Sequence, residues 1–178
     1  MRILVISGSL RAVSSNTSLL KAAQMLAPNG VRIDLYEGLG QLPHFNPDLD
    51  CAPFHAAVAD LHTRIGAADG LLISSPEYAR GVPGALKNAL DWLVSGSEFP
   101  GKPVAFFNAS DRGTHAQAAL RLTLETMSAR MVDAAMVTVH LLGKTQTPEE
   151  IANDPDVAPR LKAGLDAFVK AVAGCAGG

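Results

Sequence analysis

Residues 3–16 read Ile3-Leu4-Val5-Ile6-Ser7-Gly8-Ser9-Leu10-Arg11-Ala12-Val13-Ser14-Ser15-Asn16. Four consecutive apolar residues suit a strand covered on both faces, which is how parallel strands are buried in three-layer folds. The hydroxyl- and glycine-rich break that follows opens onto a segment of helical period, with Leu19, Ala23 and Leu26 spaced along one face. Strand, polar loop, helix is the unit from which the rest of the chain is read.

The unit recurs. Apolar runs at 31–35, 71–73, 104–107 and 132–139 alternate with helical stripes. The stripes are Val58, Leu61 and Ile65; Leu86, Ala89, Leu90 and Leu93; Leu120, Leu124 and Met127; and Leu161, Leu165, Phe168 and Val172. Strand followed by helix, repeated with short right-handed connections, predicts a doubly wound α/β three-layer sandwich. Five parallel strands favour the flavodoxin-like order 2-1-3-4-5 over a longer dinucleotide-binding sheet. Residues 1–173 are expected to form one domain, with the glycine-rich stretch 174–178 a flexible tail.

Composition narrows the function. Charged residues make up 18% of the 178, below the roughly 25% usual for soluble proteins, which leans toward surface covered by another subunit. With a net charge of −2 and no basic run, nucleic acid is not an expected partner. No apolar stretch reaches membrane-spanning length, and the short N-terminal run lacks a cleavage site, so the cytoplasm is the expected compartment. Cys51 and Cys175 stand outside any C-x-x-C or ligand spacing and read as free thiols. Five scattered histidines give no metal-ligand set.

In a sheet of this order, ligands bind beyond the carboxyl ends of the strands at the reversal of strand order. That points to residues 7–16, 74–83 and 108–115. The first loop combines Ser9, Arg11, Ser14, Ser15 and Asn16 at a helix N-terminus, where hydroxyls, a guanidinium and free amides suit a phosphate. It holds neither G-x-G-x-x-G nor G-K-[ST], so a terminal monophosphate fits better than a pyrophosphate. The plainer alternative, Ser15 or Asn16 merely capping the helix, leaves Ser9 and Arg11 unexplained. In the second loop, Pro76-Glu77-Tyr78-Ala79-Arg80-Gly81-Val82-Pro83-Gly84 sets an aromatic face on a stiff backbone, as a flat heterocycle would need.

Gly8-Ser9-Leu10-Arg11-x-x-Ser14-x-Asn16 and Pro76-Glu77-Tyr78-x-x-x-x-Pro83-Gly84-x-Leu86-Lys87-Asn88-Ala89-Leu90-Asp91-Trp92 resemble the two signature motifs of the NADPH-dependent FMN reductase family. Leu42-Pro43-His44-Phe45-Asn46-Pro47-Asp48-Leu49 and Ala116-Gln117-x-x-Leu120-Arg121 are similar to its connecting loop and fourth helix, and the likeness runs from about Arg2 to Val139. The resemblance implies FMN, its phosphate on Ser9, Arg11, Ser14 and Asn16 with Ser15 beside them. It also implies a ring lined by Pro76, Glu77, Tyr78 and the Ala79 backbone, with Ser110 on the other side. NADPH or NADH would be the hydride donor, and a quinone, azo compound, metal oxyanion or free flavin the acceptor.

Two departures stand out. Ala79 replaces the family's usual asparagine, and residues 110–115 lack its double glycine. No side chain is required as acid, base or nucleophile, so Glu77 and Tyr78 are read as placement residues. Trp92, off the stripe of its helix, is the expected contact in a homodimer or tetramer. The competing readings are an electron carrier without its own nicotinamide substrate, and a phosphate-binding domain that has lost flavin. Near-neutral charge argues against the carrier.

Overall fold

The computed structural model describes residues 1–141 and 146–174. Cys175 and the rest of the expected tail, 175–178, lie outside the described residues, while Cys51 is an exposed free thiol.

The expected alternation is present. The strands β1 (Arg2–Ser7), β2 (Arg32–Leu35), β3 (Gly70–Ser74) and β4 (Pro103–Asn108) pair in parallel in the order β2-β1-β3-β4. Between them run α1 (Ser15–Met25), α2 (Ala56–Gly66) and α3 (Gly84–Asp91), and α4 (Thr114–Thr126) follows β4. Successive side chains of a strand serve opposite faces. Ile3, Val5, Leu72, Ala105 and Phe107 therefore join one apolar cluster, with Leu19 and Leu20 of α1. Leu4, Ile6, Leu71, Ile73, Val104 and Phe106 join a second, with the stripes of α2, α3 and α4.

The fifth position of the sheet differs from the unbroken strand expected over 132–139. It is filled by β5 (Arg130–Met131) and β6 (Val137–Thr138), both parallel to β4, so the sheet has six strands in five positions. After Val132 N donates to Val104 O, the chain folds into a 3₁₀ turn at Asp133–Ala135 and rejoins the ladder at Val139 N→Asn108 O, 2.9 Å. Asp133-Ala134-Ala135 is a poor β-former in the middle of an otherwise apolar run, and that is where the strand breaks. The opposing α6 (Ala158–Ala173) fits the break closely, for a Cβ on Gly164 would come within 2.3 Å of Val137 Cγ2.

An extra helix, α5 (Pro148–Asn153), precedes α6. Thr147 and Glu150 close a reciprocal capping box around its start, and Pro148 occupies the first turn. The signal stood in the sequence as Thr-Pro-Glu-Glu.

Trp92 is not the free surface residue that its helical phase suggested. It is buried, its Nε1 donates to Pro43 O at 2.8 Å, and its ring meets Phe45 edge-on at 5.1 Å. α3 ends at Asp91, and the 42–49 loop lies over the indole as a second wall. Asn88 donates to the same carbonyl and accepts from Phe45 N, fastening that loop to α3. Among the described residues, no helix is long and apolar enough to cross a membrane.

Candidate functional site

The loops after β1, β3 and β4 converge on one cleft of about 350 Å³ at the carboxyl ends of the strands. Of the ten residues singled out from sequence, Ser9, Arg11, Ser14, Ser15, Asn16, Pro76, Glu77, Tyr78 and Ser110 line it. Ala79 does not. Ser75, Ala109, Arg112 and Gly113, which fall in the loops picked out from the sequence but were not singled out as site residues, also line it. Ser75, Ala109 and Arg112 lie within two residues of a singled-out residue and Gly113 lies three from Ser110, which was the available signal.

The first loop is built from short polar side chains bonded to backbone. Ser7 Oγ shares a hydrogen bond with Thr17 Oγ1 at 2.8 Å and accepts from Ser9 N at 3.3 Å. Ser9 Oγ accepts from Arg11 N, curling the loop back over itself. The α1 cap is Ser14, which accepts from Thr17 N, rather than Ser15 or Asn16. Ser15 and Asn16 occupy the first turn, ahead of the first α1 backbone bond (Ser18 N→Ser14 O, 2.8 Å), where amides have no partner inside a helix. Asn16 Oδ1 is engaged elsewhere, accepting the Ser74 hydroxyl at 2.9 Å.

Gly8 brings the first two loops into contact. A Cβ there would lie 2.7 Å from Ser75 Oγ and 3.1 Å from Leu86 Cδ2. Its own amide continues the strand pairing by donating to Ser74 O at 2.8 Å.

The second loop contains a miniature hairpin. Tyr78 and Gly81 exchange two backbone bonds, 3.1 and 2.9 Å, around Ala79 and Arg80, whose φ values are +50° and +61°. Two consecutive positive φ values belong to a type I′ turn, which favours Asn-Gly over Ala-Arg. This turn carries Ala79 out of the cleft lining and presents Tyr78, half exposed, at its mouth.

Glu77 faces inward to the third loop. Its Oε2 accepts from Ala116 N at 2.9 Å, in the first turn of α4. Ser110 Oγ accepts from Arg112 N at 3.1 Å, shaping the turn that leads into that helix. The cleft thus holds two guanidiniums, Arg11 and Arg112, and one carboxylate already engaged by a helix N-terminus. That balance, with the α1 amides, favours an anion. A second, mostly apolar hollow of about 370 Å³ shares the Arg11 and Tyr78 walls and is otherwise bounded by Gly8, Leu10, Pro83, Gly84 and Ala85. Among the described residues, no cluster of three His, Cys, Asp or Glu is placed to hold a metal.

Comparison with known proteins agrees with this geometry. Over 112 residues, 62% of this chain, the sequence is 43% identical to an NAD(P)H-dependent FMN reductase of Pseudomonas aeruginosa. It is 34% identical over 106 residues, 59% of the chain, to a quinone reductase of Escherichia coli K12. The matches span only 60% and 55% of those relatives' lengths. Coverage is nearly complete against the solved structure of FerB, a flavoenzyme NAD(P)H:(acceptor) oxidoreductase from Paracoccus denitrificans. The identity there is 31%, the TM-score 0.85, and 97% of each chain is covered. The model of the NADPH-dependent FMN reductases matches residues 1–142, the portion that carries all three loops of the cleft. The chain belongs to the NADPH-dependent FMN reductase family.

Proposed function

We propose that the cleft binds FMN and that the protein is an NAD(P)H-dependent oxidoreductase that reduces a small acceptor. One observation carries the reading. At the reversal of strand order, a single cleft joins an anion-suited end (Ser9, Arg11, Ser14, Ser15, Asn16) to a wall formed by Pro76, Glu77 and Tyr78. The donor set fits the group. Ser9 and Ser14 are buried hydroxyls beside unpaired helix amides, and Arg11 is exposed enough to close over a phosphate.

In this reading Ser9, Arg11, Ser14, Ser15 and Asn16 hold the phosphate through hydroxyls, amides and charge. Pro76, Glu77, Tyr78 and the backbone of Ala79 orient the ring from one loop, and Ser110 from the other. FMN held there would supply the hydride chemistry between a nicotinamide and the acceptor. The apolar hollow beside Tyr78 suits a planar acceptor such as a quinone, with Leu10, Pro83 and Ala85 excluding water. Azo compounds, metal oxyanions and free flavin remain acceptors of the same reaction type.

Residues 1–173 would work as one flavodoxin-like unit, in the cytoplasm, as a homodimer or tetramer. Exposed Leu10 (61%) and Tyr78 (50%) on the walls of the hollow, with exposed Val13 (67%) on the same loop as Leu10, support a subunit covering this side. The reading is tested by the absorbance spectrum of FMN-reconstituted protein before and after anaerobic NADPH. Bleaching of the bound flavin is the expected result. A flavin that stays oxidised with NADPH and NADH would identify an electron carrier, and absence of FMN binding would reject both.

A further inference from the structure

α4 starts without a cap of its own, because Gly113 at its N-terminal boundary has no side chain to accept the first amides. The amide of Ala116, third in the helix, is the one that a capping side chain normally satisfies. Here it is satisfied by Glu77, 39 residues earlier in the chain and on a different loop. The side chain runs directly past Gly113, where an added Cβ would touch Glu77 Cβ at 3.6 Å. Ala116 is 3% exposed, so no bulk solvent stands ready to replace the bond. A carboxylate is also the group that the positive end of a helix favours.

We infer that Glu77 is a positioning residue. By accepting from Ala116 N it fixes the Ser110–Gly113 side of the cleft against the Pro76–Tyr78 side, so FMN affinity depends on this acceptor and not on its charge. The inference rests on the FMN reading above. It gives the glutamate of the second loop a task in holding the third, with no proton transfer assigned to it.

The test titrates apo-protein with FMN, following flavin fluorescence, and measures amide hydrogen exchange in the first turn of α4 without FMN. Five forms are compared: wild type, Glu77→Gln, Glu77→Ala, Glu77→Ala with Gly113→Ser, and Gly113→Ser alone as control. Gln keeps the acceptor and removes the charge. The Gly113→Ser change gives α4 a local cap but leaves the two loops unlinked. The expected loss for Glu77→Ala is about tenfold in FMN affinity, with Ala116 exchange faster by about the same factor. Glu77→Gln should stay within about threefold of wild type in both. The double variant should recover slow exchange, and so remain folded, while FMN binding stays weak.

Wild-type binding of FMN with an unchanged Glu77→Ala affinity overturns the inference and leaves the FMN reading standing. So does a Glu77→Gln variant as weak as alanine with exchange still slow, since charge would then be acting directly. Recovery of FMN affinity in the double variant reduces Glu77 to a helix cap. A wild-type protein that takes up no FMN overturns the cleft reading itself.

Discussion

The Ser74 hydroxyl donates to Asn16 Oδ1 at 2.9 Å, joining the end of β3 to the first turn of α1 across 58 residues of sequence. Ser74 is fully buried, so its hydroxyl depends on that one side chain. Asn16→Ala should cost about 1–3 kcal/mol of stability by leaving a buried donor unpaired. Asn16→Asp, which keeps an acceptor, should cost less. Urea unfolding of both variants measures the difference, and equal midpoints for alanine and wild type would show that the tie is dispensable.

Arg11 lines both the cleft and the apolar hollow, and its guanidinium is in no ion pair among the described residues. It is available for a phosphate. Arg11→Ala should weaken FMN binding by about 1.5–3 kcal/mol, the range of a charge-assisted hydrogen bond. The fold should be unaffected. Isothermal titration of apo-protein reads the change, and an unaltered affinity removes Arg11 from the proposed phosphate site.

Gly84 opens α3 at the edge of the apolar hollow, and a Cβ built on it meets nothing within 4 Å. A larger side chain should therefore fill the hollow without disturbing the core. Gly84→Leu is expected to raise KM for a fused-ring quinone roughly tenfold, equivalent to losing about 1.4 kcal/mol of apolar contact. Ferricyanide, which needs no apolar enclosure, should be reduced as before. Equal effects on both acceptors would place the quinone elsewhere.

Ser128 ends α4 with φ of +64°, where Ala129 N donates to Leu124 O and Ser128 N to Glu125 O, both at 2.9 Å. That pair of bonds is a Schellman motif, whose left-handed position is usually glycine. Ser128→Gly should add about 1 kcal/mol by removing the cost of a side chain in that conformation. A rise in Tm of roughly 2–4 °C is the expected readout for a chain of this size. A fall in Tm would mean that the serine side chain contributes more than its backbone costs.

The parts of this fold legible in the sequence were those whose pattern is local. Residues 3–6 and 104–107 are apolar without interruption because both faces are covered, and β1 and β4 form there. The loops of the cleft followed from the strand ends alone. What stayed hidden depended on partners distant in sequence. Trp92 looked free from its helical phase because nothing local shows that Pro43 and Phe45 will cover it. The reach of Glu77 to Ala116 has no periodic signature at all. The broken fifth strand and the helix at 148–153 are different: Asp133-Ala134-Ala135 was outweighed by the apolar residues around it, and the Thr147–Glu150 capping box, though local, was not read.

The alternation of β1, β3 and β4 between two apolar clusters divides labour within the molecule. The helix that begins at the proposed phosphate site, α1, is seated through Leu19 and Leu20 on one side of the sheet. The helix that begins at the hollow beside Tyr78, α3, is seated through Leu86 and Leu90 on the other. Substitutions on α3 that reshape the hollow are thereby seated on the opposite face of the sheet from the core that anchors α1, and the two sides meet at the backbone ladder and at Arg11 and Tyr78, which line both spaces. A scaffold partitioned in this way would let one clientele of acceptors replace another while the proposed FMN site is kept.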